Sequence, residues 1–249
     1  MMKAMILNSG SGKRMGKLTQ NKPKCLIELY NGETILERQI RILGQFGIRD
    51  FIITTGPFKE LIVHKCKAFK NLNFIFVENN DYENTNYIVS MYNARELYDD
   101  DILLLHGDLV FNKLLVKKLL LCPESSVCLY NETATLSKKD FKCRINNGYL
   151  KEVSVNIFAD DCFAFQPMYK LSKDTIISWN KNIVKFIRNG EVKVYAENAL
   201  NEITDKVRIF AMSYKDDYIN EIDTQEDYLR VSADIENYDL NETPIRILK

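Results

Sequence analysis

Apolar positions along the chain follow two rhythms: short unbroken runs, and stripes at helical spacing. The runs are "KAMILN" (3–8), "DFIITT" (50–55), "NFIFVE" (73–78) and "DILLLH" (101–106). None shows a regular in-out alternation over its length, so they predict strands buried on both faces. Between the first two lies "TILERQIRILGQFGI" (34–48), with Ile35, Leu36, Ile40, Leu43 and Phe46 on one stripe, an amphipathic helix. Thr34 and Glu37 stand at capping-box spacing at its start, and Gly47 suits its end. Gly56-Pro57 turns the second strand into a short helix reaching about Phe69. A polar, Asn-rich loop after the third strand leads into a helix from about Asn86 to Leu97. Strands that alternate with helices in this way form a mostly parallel sheet with helices on both faces, a Rossmann-like α/β fold.

Beyond about residue 130 the rhythm changes. "KDFKCRINNGYLKEVSVNI" (139–157) predicts a hairpin turning at Asn147-Gly148. Ser172 opens and Gly190 closes a helix, "VRIFAMS" (207–213) is a further strand, and "TQEDYLRVSADIEN" (224–237) is a closing helix with Thr224 and Asp227 at capping spacing. No repeat, low-complexity tract or Pro/Ser-rich linker divides the chain. The expectation is one domain over 1–249: a first part of about 1–130, a small β-rich section of about 131–220, and the closing helix.

Composition narrows the function classes. The 34 basic and 34 acidic residues cancel, which argues against bulk nucleic-acid binding while leaving room for a local anion site. The six cysteines form no C-x-x-C pair and only His64 and His106 accompany them, so a zinc site or disulfide framework is not expected. No apolar run reaches the roughly 20 residues needed to cross a bilayer. "MMKAMIL" is too short for a signal-peptide core. The expectation is a cytoplasmic protein that does not engage a membrane; the pattern sets no oligomeric state.

The chemistry concentrates in "NSGSGKRMGKLTQNKPK" (8–24), directly after the first strand, where three glycines stand among Lys13, Arg14, Lys17, Lys22 and Lys24. A P-loop is excluded because five residues separate Gly10 from Gly16 and Leu18 follows Lys17. A dinucleotide fingerprint is excluded because Met15 stands where its third glycine belongs, and Thr54-Thr55 end the second strand without an acidic residue. What remains is G-x-G-x-R-M followed by Pro-Lys: Gly10, Gly12, Arg14, Met15, Pro23, Lys24. Glycines let backbone N–H groups close on phosphate oxygens. Arg14 adds a forked cation, and Lys24 a point charge near a phosphorus under attack. Asn8, Ser9, Gly10, Ser11, Gly12 and Lys13 are therefore candidate nucleotide-binding residues, with Arg14 and Lys24 as candidate catalytic ones.

With these residues the chain resembles the nucleotidyltransferases that join an NTP to a phosphorylated acceptor and release pyrophosphate. Residues 3–29, "LLLHGDLVF" (103–111) and "EIDTQEDY" (221–228) carry the resemblance. Within that family it looks most like small cytidylyltransferases that activate phosphocholine and related compounds for surface polysaccharides. "NETATLSKKDF" and "VYAENALNEI" resemble the branch acting on amino-acid or phosphonate acceptors, such as phosphoglutamine or 2-aminoethylphosphonate. The resemblance implies that Asp108 and Asp223 jointly hold Mg2+, with Glu221 competing with Asp223, and that Asn86 and Ser90 face a pyrimidine of CTP. Family members usually carry Ala-Ala or Ala-Gly where this chain has Asn8-Ser9, which puts the base contacts there in question. On the acceptor side, Phe165 and Tyr195 could supply aromatic faces for a substrate ammonium, and Glu197 or Asp160 a counter-charge. The expected reaction transfers CMP from CTP to a small phosphorylated or phosphonate acceptor. The rivals are a sugar-1-phosphate nucleotidyltransferase and a catalytically silent nucleotide-binding regulator.

Overall fold

The four apolar runs form β1 (Lys3–Asn8), β2 (Asp50–Thr55), β3 (Asn73–Glu78) and β4 (Ile102–His106) in the computed structural model, which describes residues 2–241. They pair in the order β3-β2-β1-β4, all parallel. Strand alternation sends Met5, Ile52 and Leu104 into one core. Ala4, Ile6, Phe51, Ile53, Leu103 and Leu105 enter another on the opposite face. This is why β1, β2 and β4 read as continuous apolar runs; β3 departs from the expectation, because it lies at the sheet edge and leaves Ile75 46% exposed.

Helices cover both faces. α1 (Ile35–Gln45), α2 (Lys59–Cys66), α3 (Tyr87–Asn93), α4 (Lys113–Leu121), α5 (Lys173–Arg188) and α6 (Ala196–Asn201) divide between them. The stripes of α1, α2 and α4 close the second core, through Leu36, Ile40, Ile62 and Leu115 among others. Those of α3, α5 and α6 close the first, through Ile88, Trp179, Ile183 and Ala199. The capping box of α1 forms as its spacing predicts: Glu37 N donates to Thr34 Oγ1, and Thr34 N donates to Glu37 Oε2.

The second half extends the same sheet. β5 (Leu109–Phe111), β6 (Val127–Asn131), β7 (Lys142–Asn146), β8 (Tyr149–Ser154), β9 (Cys162–Leu171), β10 (Phe210–Ser213) and β11 (Ile219–Glu221) complete the strands among the described residues. The large sheet runs β3-β2-β1-β4-β9-β6-β10-β8-β7. β9 is antiparallel to β4 and β6, and β10 is again parallel to β6, so the fold is mixed α/β: a parallel half, β3-β2-β1-β4, is joined through β9 to a largely antiparallel half. The β7–β8 hairpin turns at Asn147-Gly148, both at positive φ, as expected.

α4, β6 and β9 were absent from the sequence pattern. β9 in particular contains Gln166-Pro167 and Lys170, which disguise it. The register against β6 shifts between Cys128 and Leu129, an irregularity that accommodates the proline. α7 (Gln225–Asn241) runs past the expected end at 237. Its Val231 and Ile235 pack with Met15, Ile27, Val110 and Ile222, which fastens the glycine loop to the far end of the chain. All six cysteines are free thiols. No helix among the described residues is long and apolar enough to cross a membrane.

Candidate active site

Strand order reverses beside β1, whose neighbours are β2 and β4. In open α/β sheets the crevice at such a point, beyond the carboxyl ends of the strands, is where ligands bind. A cleft of about 460 Å³ opens there, lined by Asn8 to Arg14, Pro23, Lys24, Asp108 and Asp223 among others.

The glycine loop is shaped by short-range constraints. Gly12 adopts φ 64°, and a Cβ there would press on Thr19 and Lys24 at 3.2 and 3.4 Å. Thr19 Oγ1 donates to Gly12 O at 2.8 Å, and buried Met15 anchors the loop from beneath. The chain then returns through Pro23, which starts a turn carrying Lys24 into the cleft.

Lys24 Nζ lies 2.8 Å from Asp108 Oδ2 and 2.6 Å from Asp223 Oδ1. Arg14 holds the other oxygen of Asp223 at 2.9 Å. Two residues about 200 positions apart from Asp223 thus converge on it. Burial alone would lower the Lys24 pKa, but the two carboxylates outweigh it and hold the ammonium above its ordinary value. Burial would raise Asp108, and Lys24 and His106 outweigh that, so the carboxylate is held below its usual range.

Asp108 Oδ1 is buried without a hydrogen-bond partner. His106, Asp108 and Glu221 offer ligand atoms within 4.8 Å of one another, a group able to hold a metal ion. The resemblance paired Asp108 with Asp223. Here both oxygens of Asp223 are engaged by Lys24 and Arg14, and Glu221 is the carboxylate that groups with Asp108 and His106. His106 Nδ1 lies 3.6 Å from Glu221 Oε1. Burial raises the Glu221 pKa against the pull of His106, and the nearby Asp108 charge adds to the rise. Burial lowers His106, but Glu221 outweighs it and leaves the imidazole raised.

On the far side of the glycine loop lies a buried chain of small polar groups. Asn79 Nδ2 donates to Ser90 Oγ at 3.3 Å, Ser90 Oγ to Ser9 Oγ at 2.8 Å, and Ser9 Oγ to Thr54 Oγ1 at 2.9 Å. Asn86 and Ser90 both line the cleft, but Asn86 lies just outside the helix that carries Ser90. It caps α3 instead, accepting from Tyr87 N at 2.8 Å, and lines the cleft from that position.

The opposite end of the cleft is aromatic. Tyr195 packs 5.0 Å from Phe141 and 5.9 Å from Tyr87, and Tyr87 packs 4.7 Å from His106. Glu197 is buried behind this wall, accepting hydrogen bonds from the Tyr87 and Tyr169 hydroxyls. Phe165 and Asp160 differ from expectation. The pleat turns Phe165 inward, where it is 2% exposed against Phe141 and Tyr169, and Asp160 is exposed on the β8–β9 connection; neither lines the cleft. Tyr87, His106, Phe141 and Lys139 line it without having been singled out from sequence. Only the position of His106 at the end of β4, two residues before Asp108, was a local mark of any of them.

Known proteins are similar to this chain in sequence and fold. A CMP-5'-(3-aminopropyl)phosphonate synthase of Streptomyces rubellomurinus is 30% identical over 125 residues, which is 50% of this chain but only 20% of that protein's length. A choline-phosphate cytidylyltransferase of Streptococcus pneumoniae is 25% identical over 249 residues, covering 95% of this chain and 99% of that one. The solved structure of a CTP:phosphocholine cytidylyltransferase from Streptococcus pneumoniae superposes with TM-score 0.78 at 22% identity, covering 94% of this chain and 99% of that one, a likeness of fold. Residues 4–136, which hold the glycine loop, Lys24 and Asp108, match the family described as the MobA-like NTP transferase domain. With its parallel half-sheet, its glycine loop and its cation-bridged carboxylates, the chain belongs to that nucleotidyltransferase family.

Proposed function

We propose that the protein transfers CMP from CTP to a small phosphorylated or phosphonate acceptor bearing an ammonium group, releasing pyrophosphate. The observation that carries this reading is Lys24, held between Asp108 and Asp223 at the mouth of the glycine loop. When a triphosphate enters, Lys24 and Arg14 exchange carboxylate oxygens for phosphate oxygens, and the loop amides complete the cradle. The polar chain through Ser9, Ser90 and Asn79 lies on one side of the loop and supports hydrogen bonding to a pyrimidine edge. The aromatic walls of Tyr87, Phe141 and Tyr195 on the other side suit a cationic head group.

The reaction is an in-line displacement. An oxygen of the acceptor phosphate attacks the α-phosphorus of CTP, the bond to the bridging oxygen breaks, and pyrophosphate leaves with its electron pair. The attacking oxygen is already anionic at neutral pH, so no general base is needed. Catalysis rests on positioning and on charge neutralisation by Lys24 and Arg14. The orphaned Asp108 Oδ1 beside Glu221 fits a hard divalent cation, with Asp223 joining once its partners turn to the nucleotide. Bound there, Mg2+ would neutralise phosphate charge as the leaving group departs. A CTP-consuming activation of this kind belongs in the cytoplasm and would supply head groups for surface polysaccharide.

Pyrophosphate release over four NTPs, crossed with phosphocholine, phosphoethanolamine, 2-aminoethylphosphonate, phosphoglutamine and sugar 1-phosphates, tests the reading. Release with CTP and an ammonium-bearing acceptor is expected. CTP binding without release on any acceptor would contradict it and favour a regulator. Lys24→Ala is expected to lower kcat by about 100-fold or more, while CTP affinity falls by less than about tenfold. Equal losses in both would restrict Lys24 to binding.

A further inference from the structure

An acceptor that brings its own phosphate to a triphosphate must overcome like-charge repulsion, and in-line attack places it opposite the departing pyrophosphate. Arg14 and Lys24 stand on the nucleotide side and are shared with Asp108 and Asp223. The described residues that line the cleft from the second half of the chain are Lys139, Phe141, Val155, Tyr195, Glu221 and Asp223. Lys139 alone among them is cationic.

Among the described residues no side-chain hydrogen bond engages its ammonium. The nearest carboxylate, Asp227 Oδ2, lies 3.8 Å away, beyond hydrogen-bond distance, and the Lys139 side chain is 52% exposed. That oxygen already accepts from Asp223 N at 3.3 Å, Thr224 N at 3.0 Å and Thr224 Oγ1 at 2.8 Å. The other oxygen of Asp227 accepts from Arg230 at 3.1 Å. A carboxylate so occupied pairs with Lys139 only at long range, by charge and without a hydrogen bond, and leaves the ammonium's donors to a ligand. The same contact sets the ammonium beside the segment that carries Asp223, at the phosphate end of the cleft. Two residues further on, Phe141 joins the aromatic wall at the head-group end.

On the reading of the reaction given above, we infer that Lys139 is the acceptor-phosphate ligand: its ammonium pairs with the phosphate or phosphonate of the acceptor and orients it for attack. Lys139 and Phe141 then bracket one small molecule, a charge for its anionic end and a ring for its cationic end. The residue determines acceptor affinity and leaves the nucleotide to the glycine loop.

Steady-state kinetics of Lys139→Ala, Lys139→Arg and Lys139→Glu test the inference, with acceptor and CTP varied in turn. Lys139→Ala is expected to raise the acceptor KM by about tenfold or more, the loss of one charge-assisted hydrogen bond. Lys139→Arg should recover most of it, Lys139→Glu should be worse than Ala, and the KM for CTP should stay within about twofold of wild type. An unchanged acceptor KM, or a CTP KM rising in parallel, overturns the inference while leaving the reaction intact. If the wild-type protein releases no pyrophosphate, it is the reaction that fails, and 31P line broadening of phosphocholine and 2-aminoethylphosphonate then decides Lys139 without turnover. Broadening by wild type that is lost in Lys139→Ala supports the inference; equal broadening by both, or none by either, overturns it.

Discussion

A Cβ on Gly107 would overlap the Asn8 carboxamide and come within 2.9 Å of Leu7 O. Gly107 N donates to that same Leu7 O at 3.0 Å, so β1 and β4 are drawn together where the cleft begins. Asn8 therefore occupies volume that a smaller residue would leave open, and the glycine beside Asp108 is its counterpart. Gly107→Ala is expected to destabilise the protein by about 1–3 kcal/mol through overpacking. Asn8→Ala should relieve only part of that, because the approach to Leu7 O remains. A double-mutant cycle in urea measures the coupling; additive losses would contradict the contact. Residue chemistry was readable where it came as a local motif, as with Arg14, Lys24 and the glycines. Phe141, Tyr87 and Lys139 carried no such mark, since an aromatic or a lysine in a loop looks alike whether it faces a cleft or bulk water.

α7 is tied at both ends. At its start Asp227 N donates to Thr224 Oγ1 at 3.1 Å, and Thr224 N donates back to Asp227 Oδ2. Near its end Asp239 accepts from Arg38 at 2.6 and 2.8 Å, and from the Tyr30 hydroxyl at 2.8 Å. Arg38 is 2% exposed, so its charge depends on this partner and on Phe111 O. Burial would raise the Asp239 pKa, but hydrogen bonds and charge from Arg38 outweigh it, and the carboxyl is held below its ordinary value. A folded pKa below the unfolded one gives stability that is complete above the unfolded value and lost as pH falls through the folded one. Asp239→Asn is expected to cost about 1–3 kcal/mol at pH 7, and the gap to wild type should narrow below about pH 4. Urea titrations at pH 7 and pH 3 check this; a constant gap would show that the pair does not titrate with folding. Both helix starts were legible, because capping needs only residues three apart. The Arg38–Asp239 pair was not, because it joins helices about 200 positions apart.

One sheet separates the two large cores, and its strands contribute side chains to both. Neither core can dissolve while the other keeps its strands, so unfolding should be a single transition. The only tryptophan, Trp179, is fully buried and reports on the core that includes the β7–β8 section. Its fluorescence and far-UV circular dichroism are expected to change together on heating; separated transitions would divide the chain near residue 130. CTP with Mg2+ at about 100 times Kd should add about 2.7 kcal/mol, raising Tm by roughly 5–10 °C for a chain of this size. The sequence by itself determined the parallel strands, the capped helices, the Asn-Gly hairpin and the position of the glycine-rich loop, because each depends on residues within a few positions of one another. Only the tertiary structure decided where β9 enters the sheet, which carboxylates meet Lys24, and which aromatic and cationic side chains face the cleft. Those depend on loop closures spanning tens to hundreds of residues, and no local pattern of apolar and polar positions encodes which distant segments will meet.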